Sequence, residues 1–181
     1  MRKDVIVGLP LLVVVTGMPS SGKTTVAEGL ARQLRLPLIA KDEIKESLYE
    51  SLGADDVASS GRLGAAAYAL IFALARTMLA SGVSVIVEAN FFRDQENEFA
   101  ALPAHRLVQL HCEAPLPILL DRYTNRSRHP GHQDAEKIKE LPARFESDAH
   151  SPLRLDGELI QLDTTQPVEF ATLAERIRTV T

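Results

Sequence analysis

The feature that most constrains this chain is a glycine-rich loop between an apolar stretch and an amphipathic segment. The loop is the eight-residue run Gly17-Met18-Pro19-Ser20-Ser21-Gly22-Lys23-Thr24. Residues 11–16 before it are apolar and β-branched, which predicts a buried strand, and apolar residues recur at helical spacing over about 22–35. A strand, a tight glycine turn and a helix in this order predict a phosphate-binding loop.

The residue types of the loop suit anion binding. Gly17 and Gly22 let the backbone curl so that its N–H groups point inward, and the helix that follows adds the positive end of its dipole. In this pattern, called Walker A, Lys23 reaches the β- and γ-phosphates and Thr24 offers its hydroxyl to Mg²⁺. We therefore predict that residues 17–24 and Thr25 contact a nucleotide. A turn without a ligand is the weaker alternative, because motif, strand and helix coincide.

Composition narrows the class of protein. A chain of 181 residues with 45% hydrophobic residues can bury a real core, and we expect residues 1–181 to form one domain. The net charge of −4 argues against nucleic acid as a partner. Cys112 is the sole cysteine, so no disulfide can form within the chain, and its apolar surroundings predict a core position. These properties suit a cytoplasmic protein.

Neither apolar stretch of the sequence predicts a membrane segment. The N-terminal run leads directly into the glycine loop, so we interpret it as the first strand rather than as a leader. Residues 65–75 fall short of the roughly 20 apolar residues that a span requires.

Predicted strands and helices alternate along the chain. We predict strands at 11–16, 37–40, 83–88, 106–112 and 158–163, and helices at 22–35, 42–52, 62–80, 115–125, 135–146 and 168–179. A loop is expected at 53–60, and a short helix begins within 90–97. The pattern predicts an α/β fold with a mostly parallel sheet, in which ligands lie beyond the carboxyl ends of the strands.

Asp42 follows the second predicted strand directly. A carboxylate there can accept the proton of a hydroxyl that attacks a phosphate. Asp also favours the N-cap position of a helix, and the two roles are compatible. Lys45, one turn later, is a candidate contact for an anionic group, although a solvent-facing helix position is the favoured interpretation.

Glu88 ends the third predicted strand after three apolar residues. This is the Walker B pattern, in which the acid holds a metal-bound water or orients catalytic groups. The alternative is an acid at the rim of the sheet paired with Arg93 or Arg76. Asn90, two residues on, is a candidate contact for the acceptor.

Residues 122–133 contain no acid and predict a basic lid. Arg122 and Arg126 are four residues apart and share a helix face, and arginine both neutralises phosphate and stacks on flat rings. A lid that closes over the site excludes water. The alternative is a set of cations placed at a helix C-terminus by its dipole. His129 and His132 lack a third ligand nearby, so we expect loop histidines rather than a zinc site.

From residue 11 to about 163 the chain resembles the small P-loop kinases related to nucleoside monophosphate kinases. The branches with chloramphenicol phosphotransferase, zeta toxin, gluconate kinase and polynucleotide kinase are the most similar, together with kinase-like proteins called AAA-family ATPases. The resemblance rests on the Walker A loop, on Arg122 and Arg126 with three residues between them, and on Asp42. It implies a five-stranded parallel sheet of order 2-3-1-4-5 with helices on both faces.

The resemblance also implies roles for individual residues. Arg122 would stack on adenine, Arg126 and Arg128 would contact phosphates, and Asp42 would be the general base. The loop of Thr164, Thr165 and Gln166 would lie against adenine. Many relatives have Asp where this chain has Glu88, which weakens the metal assignment.

These observations predict an ATP- and Mg²⁺-dependent kinase that phosphorylates a hydroxyl of a small molecule such as an antibiotic, a sugar or a metabolite. A nucleoside or nucleotide kinase, a toxin kinase acting on a sugar nucleotide, and a regulatory nucleotide-binding ATPase are the alternatives. A GTPase fits poorly, because the Asn-Lys-x-Asp signature is absent. The region 42–80 should shape the acceptor pocket, where Tyr49, Tyr68 and Phe72 line the pocket or, as we favour, pack in the core. We expect a monomer or a homodimer.

Overall fold

The computed structural model describes residues 8–54, 56–126, 142–143 and 151–180. Its strands are β1 (Leu11–Gly17), β2 (Leu38–Ala40), β3 (Val85–Glu88), β4 (Arg106–Glu113) and β5 (Glu158–Asp163). Its α-helices are α1 (Lys23–Leu34), α2 (Lys41–Leu52), α3 (Val57–Ala80), α4 (Glu96–Ala100), α5 (Leu116–Asn125) and α6 (Phe170–Thr179), and one 3₁₀ turn covers Arg93–Gln95.

The five strands form one parallel sheet of order β2-β3-β1-β4-β5, which confirms the predicted fold and strand order. All seven residues of β1 are buried, as expected for the central strand of a sheet covered on both faces. In the register of the strands, Glu88 lies beside Val15 of β1 and beside Ala40 of β2. The phosphate loop, the residues after β2 and the residues after β3 therefore meet at one edge of the sheet.

Two apolar layers enclose the sheet. One face packs against α1 and α6, whose buried residues include Leu30 and Ile177. The other face packs against α3 and α4 and holds an aromatic group of Phe72, Phe91 and Phe99. Phe72 is thus a core residue, as the sequence favoured. Cys112 is buried in the first layer, and burial raises the pKa of its thiol to about 12.

The start of α3 differs from the prediction. The helix begins at Val57 instead of residue 62, so the predicted loop 53–60 is wrong over its last four residues. The reason is a capping box: Asp56 accepts from the Ser59 amide at 2.6 Å, while the Ser59 hydroxyl accepts from the Asp56 amide at 3.1 Å. These bonds satisfy the first turn of the helix and move its start toward the N-terminus.

The remaining boundaries lie close to the predicted ones. β3 begins two residues late, at Val85, because the Val83 amide is bonded to the Met78 carbonyl in a turn. Residues 127–133 of the predicted lid, and most of the predicted helix 135–146, lie outside the described residues, of which 142 and 143 are helical.

Helix α3 is longer than its apolar sequence suggested. Within the described ranges it is the one helix whose length of 24 residues and composition would suffice to cross a membrane, a criterion that core helices of soluble proteins also meet. It buries Leu63, Ala67, Ile71, Ala75 and Leu79 along one face. That face packs against β2 and β3.

Phe91→Ala should lower the free energy of unfolding by about 3–5 kcal/mol, because Phe91 is fully buried between Phe72, Phe99 and Tyr68 and its removal leaves a cavity. Urea unfolding measures the change. Leu52→Ala, at a solvent-exposed helix end, is the control and should change the value by no more than about 0.5 kcal/mol. An equal effect of both substitutions would contradict this packing.

Candidate active site

The loop between β1 and α1 has the geometry of an anion cradle. Gly17 and Gly22 adopt φ values of 146° and 81°, and a Cβ at Gly17 would collide with the Cys112 carbonyl oxygen. Gly22 is the N-cap of α1 and has no side chain to cap the helix. The hydroxyls of Ser20 and Ser21 are buried without a partner in the part of the chain that the structure describes. The loop therefore presents polar hydrogen-bonding groups where an anion would sit.

Glu88 contacts the phosphate loop rather than a surface arginine. Its Oε1 lies 3.9 Å from Lys23 Nζ, and its Oε2 accepts from the Thr24 hydroxyl at 3.4 Å. Lys23 also donates to the Met18 carbonyl at 3.4 Å. The alternative pairing of Glu88 with Arg93 or Arg76 is thus wrong. Burial raises the pKa of Glu88, while the nearby Lys23 and Lys41 act in the opposite direction.

The contact between Thr24 and Glu88 suits a magnesium ion. A hydroxyl and a carboxylate are hard oxygen ligands, and Mg²⁺ typically takes one or two carboxylates with water and substrate phosphates. Among the described residues there is no cluster of three His, Cys, Asp or Glu side chains that would form a metal cage. The donors therefore fit a cation that enters together with a nucleotide.

Asp42 lies at the same edge of the sheet, two residues after Ala40. Helix α2 begins at Lys41 with Ala40 as its N-cap, so the N-cap role suggested for Asp42 is wrong. Asp42 Oδ1 lies 3.1 Å from Lys41 Nζ, and that ammonium is 5.5 Å from the centre of the Tyr68 ring. Tyr68 donates its hydroxyl to the Asn90 carbonyl at 2.7 Å. These contacts join the start of α2, helix α3 and the segment after β3 into one wall.

Lys45 does not face solvent, contrary to the favoured interpretation of the sequence. Only 5% of the residue is exposed, and its Nζ donates to the Ser60 hydroxyl at 2.8 Å. Ser60 belongs to the first turn of α3 that the sequence assigned to a loop. Since that turn packs on α2, it removes Lys45 from water.

A cavity lies beside the N-terminus of α1. It has a volume of about 370 Å³ and is lined by Gly22, Thr25, Val26, Arg122, Thr164, Gln166, Pro167, Val168 and Phe170. Arg122 donates to the Thr164 hydroxyl at 3.1 Å and to the Thr164 carbonyl at 2.7 Å. The structure thus brings together the end of α5, the loop after β5 and the helix that follows the phosphate loop.

Two residues predicted to contact the nucleotide, one at the adenine and one at the phosphates, lie outside the lining of this cavity. Thr165 is absent from its lining and donates its hydroxyl to Asp163 at 2.6 Å, which with the amide bond holds the pKa of Asp163 below its usual value. Arg126 ends α5 with its guanidinium 4.0 Å from the centre of the Tyr123 ring. Arg128 lies outside the described residues. The apolar wall of Pro167, Val168 and Phe170 was missed, although it follows β5 directly.

The fold and this loop define a nucleotide-binding P-loop protein of the kinase-like class. The model of the AAA_33 family, described as an AAA domain, matches residues 12–147, more than half of the chain. The chain belongs to this family. The predicted resemblance to small P-loop kinases is thereby confirmed.

Solved structures agree with this assignment. A candidate kinase from Chloroflexus aurantiacus J-10-fl is 33% identical, and the match covers 96% of this chain and 100% of that chain with a TM-score of 0.82. A shikimate kinase from Bacteroides thetaiotaomicron is 15% identical over 93% of this chain and 96% of that one, with a TM-score of 0.55, so it shares the fold alone.

A curated relative is much longer than this chain. The Mycobacterium tuberculosis protein Rv2004c, named as uncharacterised, is 28% identical over 144 residues. The match covers 74% of this chain but only 29% of that protein.

Glu88→Gln should stabilise the protein at pH 8 and lose that advantage as the pH falls toward 4.5. The raised pKa means that the folded protein holds the Glu88 proton more tightly than the unfolded chain does. Ionisation of Glu88 therefore costs folding free energy above the folded pKa and nothing below the ordinary value of 4.5. Urea unfolding of wild type and variant from pH 8 to pH 5 measures this cost. The difference in their unfolding free energies should shrink as the pH falls.

Glu98→Gln, at an exposed position of α4, is the matched control and should show no such pH dependence. A Glu88→Gln variant that is less stable than wild type at pH 8 would show that the ionised pair with Lys23 outweighs the cost of burying the carboxylate.

Proposed function

We propose that the protein is an ATP- and Mg²⁺-dependent phosphotransferase that phosphorylates a hydroxyl group of a small molecule. The observation that carries the proposal is the position of Glu88 between β1 and β2, which brings the phosphate loop and Asp42 to one edge of the sheet. The cavity beside Arg122 lies near the same loop, next to the N-terminus of α1. A donor site and an acceptor site therefore flank one phosphate cradle.

The nucleotide would be held by groups already in place. The amides of the loop and Lys23 would bind its phosphates, and Arg122 would bind its base in the cavity over Gly22. Thr24 and Glu88 would hold Mg²⁺, which neutralises charge on the phosphates. Arg126 and Arg128 of the predicted lid are proposed to contact the phosphates when the site closes.

Asp42 would serve the acceptor. In the proposed reaction the acceptor oxygen bonds to the γ-phosphorus, the bond from that phosphorus to the ADP oxygen breaks, and the hydroxyl proton passes to the Asp42 carboxylate. The half-buried wall of Lys41, Tyr68 and Asn90 would keep the acceptor oriented, since these groups contact one another.

The setting of the enzyme is proposed from its composition and burial. A net charge of −4 disfavours a nucleic-acid partner, and the free, buried Cys112 suits the cytoplasm. We propose one domain that acts on a small molecule without a membrane partner.

Release of ADP from Mg-ATP tests the proposed reaction. One pool of hydroxyl-bearing acceptors (sugars, nucleosides, antibiotics or cell-wall precursors) should raise the rate at least about tenfold above the basal rate, toward the range of about 1–100 s⁻¹ typical of kinases. Lys23→Ala should weaken Mg-ATP binding by about 10–100-fold, as expected for loss of a charged hydrogen bond. Steady hydrolysis that no pool changes would favour the regulatory ATPase.

Asp42→Asn should separate transfer from binding. The amide cannot accept the hydroxyl proton, so transfer to the active pool should fall by about 10²–10⁴-fold while the affinity for Mg-ATP stays unchanged. The neighbouring, exposed Glu43→Gln is the matched control and should keep the wild-type rate within about twofold. Wild-type turnover by Asp42→Asn would show that another group is the base.

A further inference from the structure

Arg93 differs from the other partly buried arginines of the described chain. Arg106 donates to the Val180 carbonyl, Arg122 donates to Thr164, and Arg126 lies over the Tyr123 ring. Arg93 is also half-buried, but its Nε is fully buried and has no hydrogen-bond partner, and no described carboxylate pairs with its guanidinium. A buried donor on a charged group is costly to leave unpaired, and the described residues supply no acceptor for this one.

The position of Arg93 ties it to the acceptor side. It opens the 3₁₀ turn that follows β3, and β3 lies between the strand that leads to the phosphate loop and the strand that leads to Asp42. Arg93 is therefore carried by the segment that begins at the carboxyl end of β3. It is separate from the Arg122 cavity, which is built from the β5 side of the sheet.

Asn90, three residues earlier, has a buried acceptor that lacks a hydrogen-bond donor in the described part of the chain. Its Oδ1 is buried without a donor among the described residues, although its carbonyl oxygen is bonded to Tyr68. One short segment thus holds an unpaired cationic donor and an unpaired neutral acceptor. A ligand that satisfies both must carry a hydrogen-bond acceptor and a hydrogen-bond donor, and the positive charge of the guanidinium favours an anionic oxygen as the acceptor.

We propose that the acceptor is a polyhydroxylated molecule that bears an oxyanion, either a carboxylate or a phosphate. Arg93 binds the oxyanion through its planar fork, and Asn90 accepts a hydrogen bond from a hydroxyl. The Lys41 ammonium lies 5.5 Å from the centre of the ring of Tyr68, whose hydroxyl donates to the Asn90 carbonyl, so a second cation lies on this side of the sheet. That a further hydroxyl of this molecule is phosphorylated rests on the function proposed above; binding of the anion does not.

The test follows the Nε–Hε resonance of Arg93 by nitrogen-15 NMR in the full chain saturated with Mg-ADP. The probes are glucuronate, glucose 6-phosphate and glucose, which share a ring and differ in the anionic group. Each is added to about 50 mM, far above the usual KM range of about 1 μM–1 mM. The resonance is assigned by its loss in Arg93→Gln, and Arg76→Gln, at an exposed position of α3, is the matched control.

At least one of the two anions should shift the Arg93 resonance at saturable concentrations, and glucose should not. The affinity of the protein for the anion that binds should fall at least about tenfold in Arg93→Gln and stay unchanged in Arg76→Gln. A response to glucuronate identifies a carboxylate acceptor, and a response to glucose 6-phosphate identifies a phosphorylated one. An equal response to glucose, or no response to either anion, would overturn the proposal.

The nucleotide hypothesis is read separately in the same spectra. The Arg122 resonance should move when Mg-ADP is added, because Arg122 lines the proposed base pocket. If the Arg122 resonance does not shift when Mg-ADP is added, the proposed function is contradicted. The titration of Arg93 with the anions is then measured in the protein without nucleotide and tests the anion site separately.

Discussion

The site depends on a carboxylate that the fold buries at the end of a strand. Glu88 is only 2% exposed and lies beside both β1 and β2. An ionised carboxylate at such a place requires partners, and the phosphate loop supplies them through Lys23 and Thr24. The contact also holds Lys23 at the loop, where a nucleotide would take over its charge. In the proposed function, phosphates and a cation would replace this ion pair.

Much of the fold was accessible from the sequence because its signals are local. The apolar run of β1 and the loop that follows it can each be recognised from a few consecutive residues, and their predicted positions match the structure. The strand order was not contained in any such pattern and came from resemblance to known kinases. The start of α3 differs from the prediction because its first turn, which Asp56 and Ser59 cap, is formed by small and polar residues without apolar periodicity.

The features of the site that were missed depend on contacts between distant segments. Lys45 lies on a polar helix and looks solvent-facing until α3 covers it through Ser60, fifteen residues away. Thr165 belongs to the predicted loop but turns back on Asp163, which leaves Thr164 to meet Arg122. In each case one neighbour decides the environment of the side chain, and sequence spacing does not reveal that neighbour.

The end of β3 and the segment that follows it carry opposite charges that do not pair with each other. Glu88 turns its carboxylate to the phosphate loop, so it is not available to neutralise Arg93 five residues later. Phe91 lies between them in the sequence and is buried in the aromatic core, which anchors the segment that carries Asn90 and Arg93. The described residues offer no acceptor to the buried Nε of Arg93, and an unpaired buried donor costs free energy. A ligand that supplies an acceptor to this donor would remove that cost, which is the physical basis of the acceptor class proposed above.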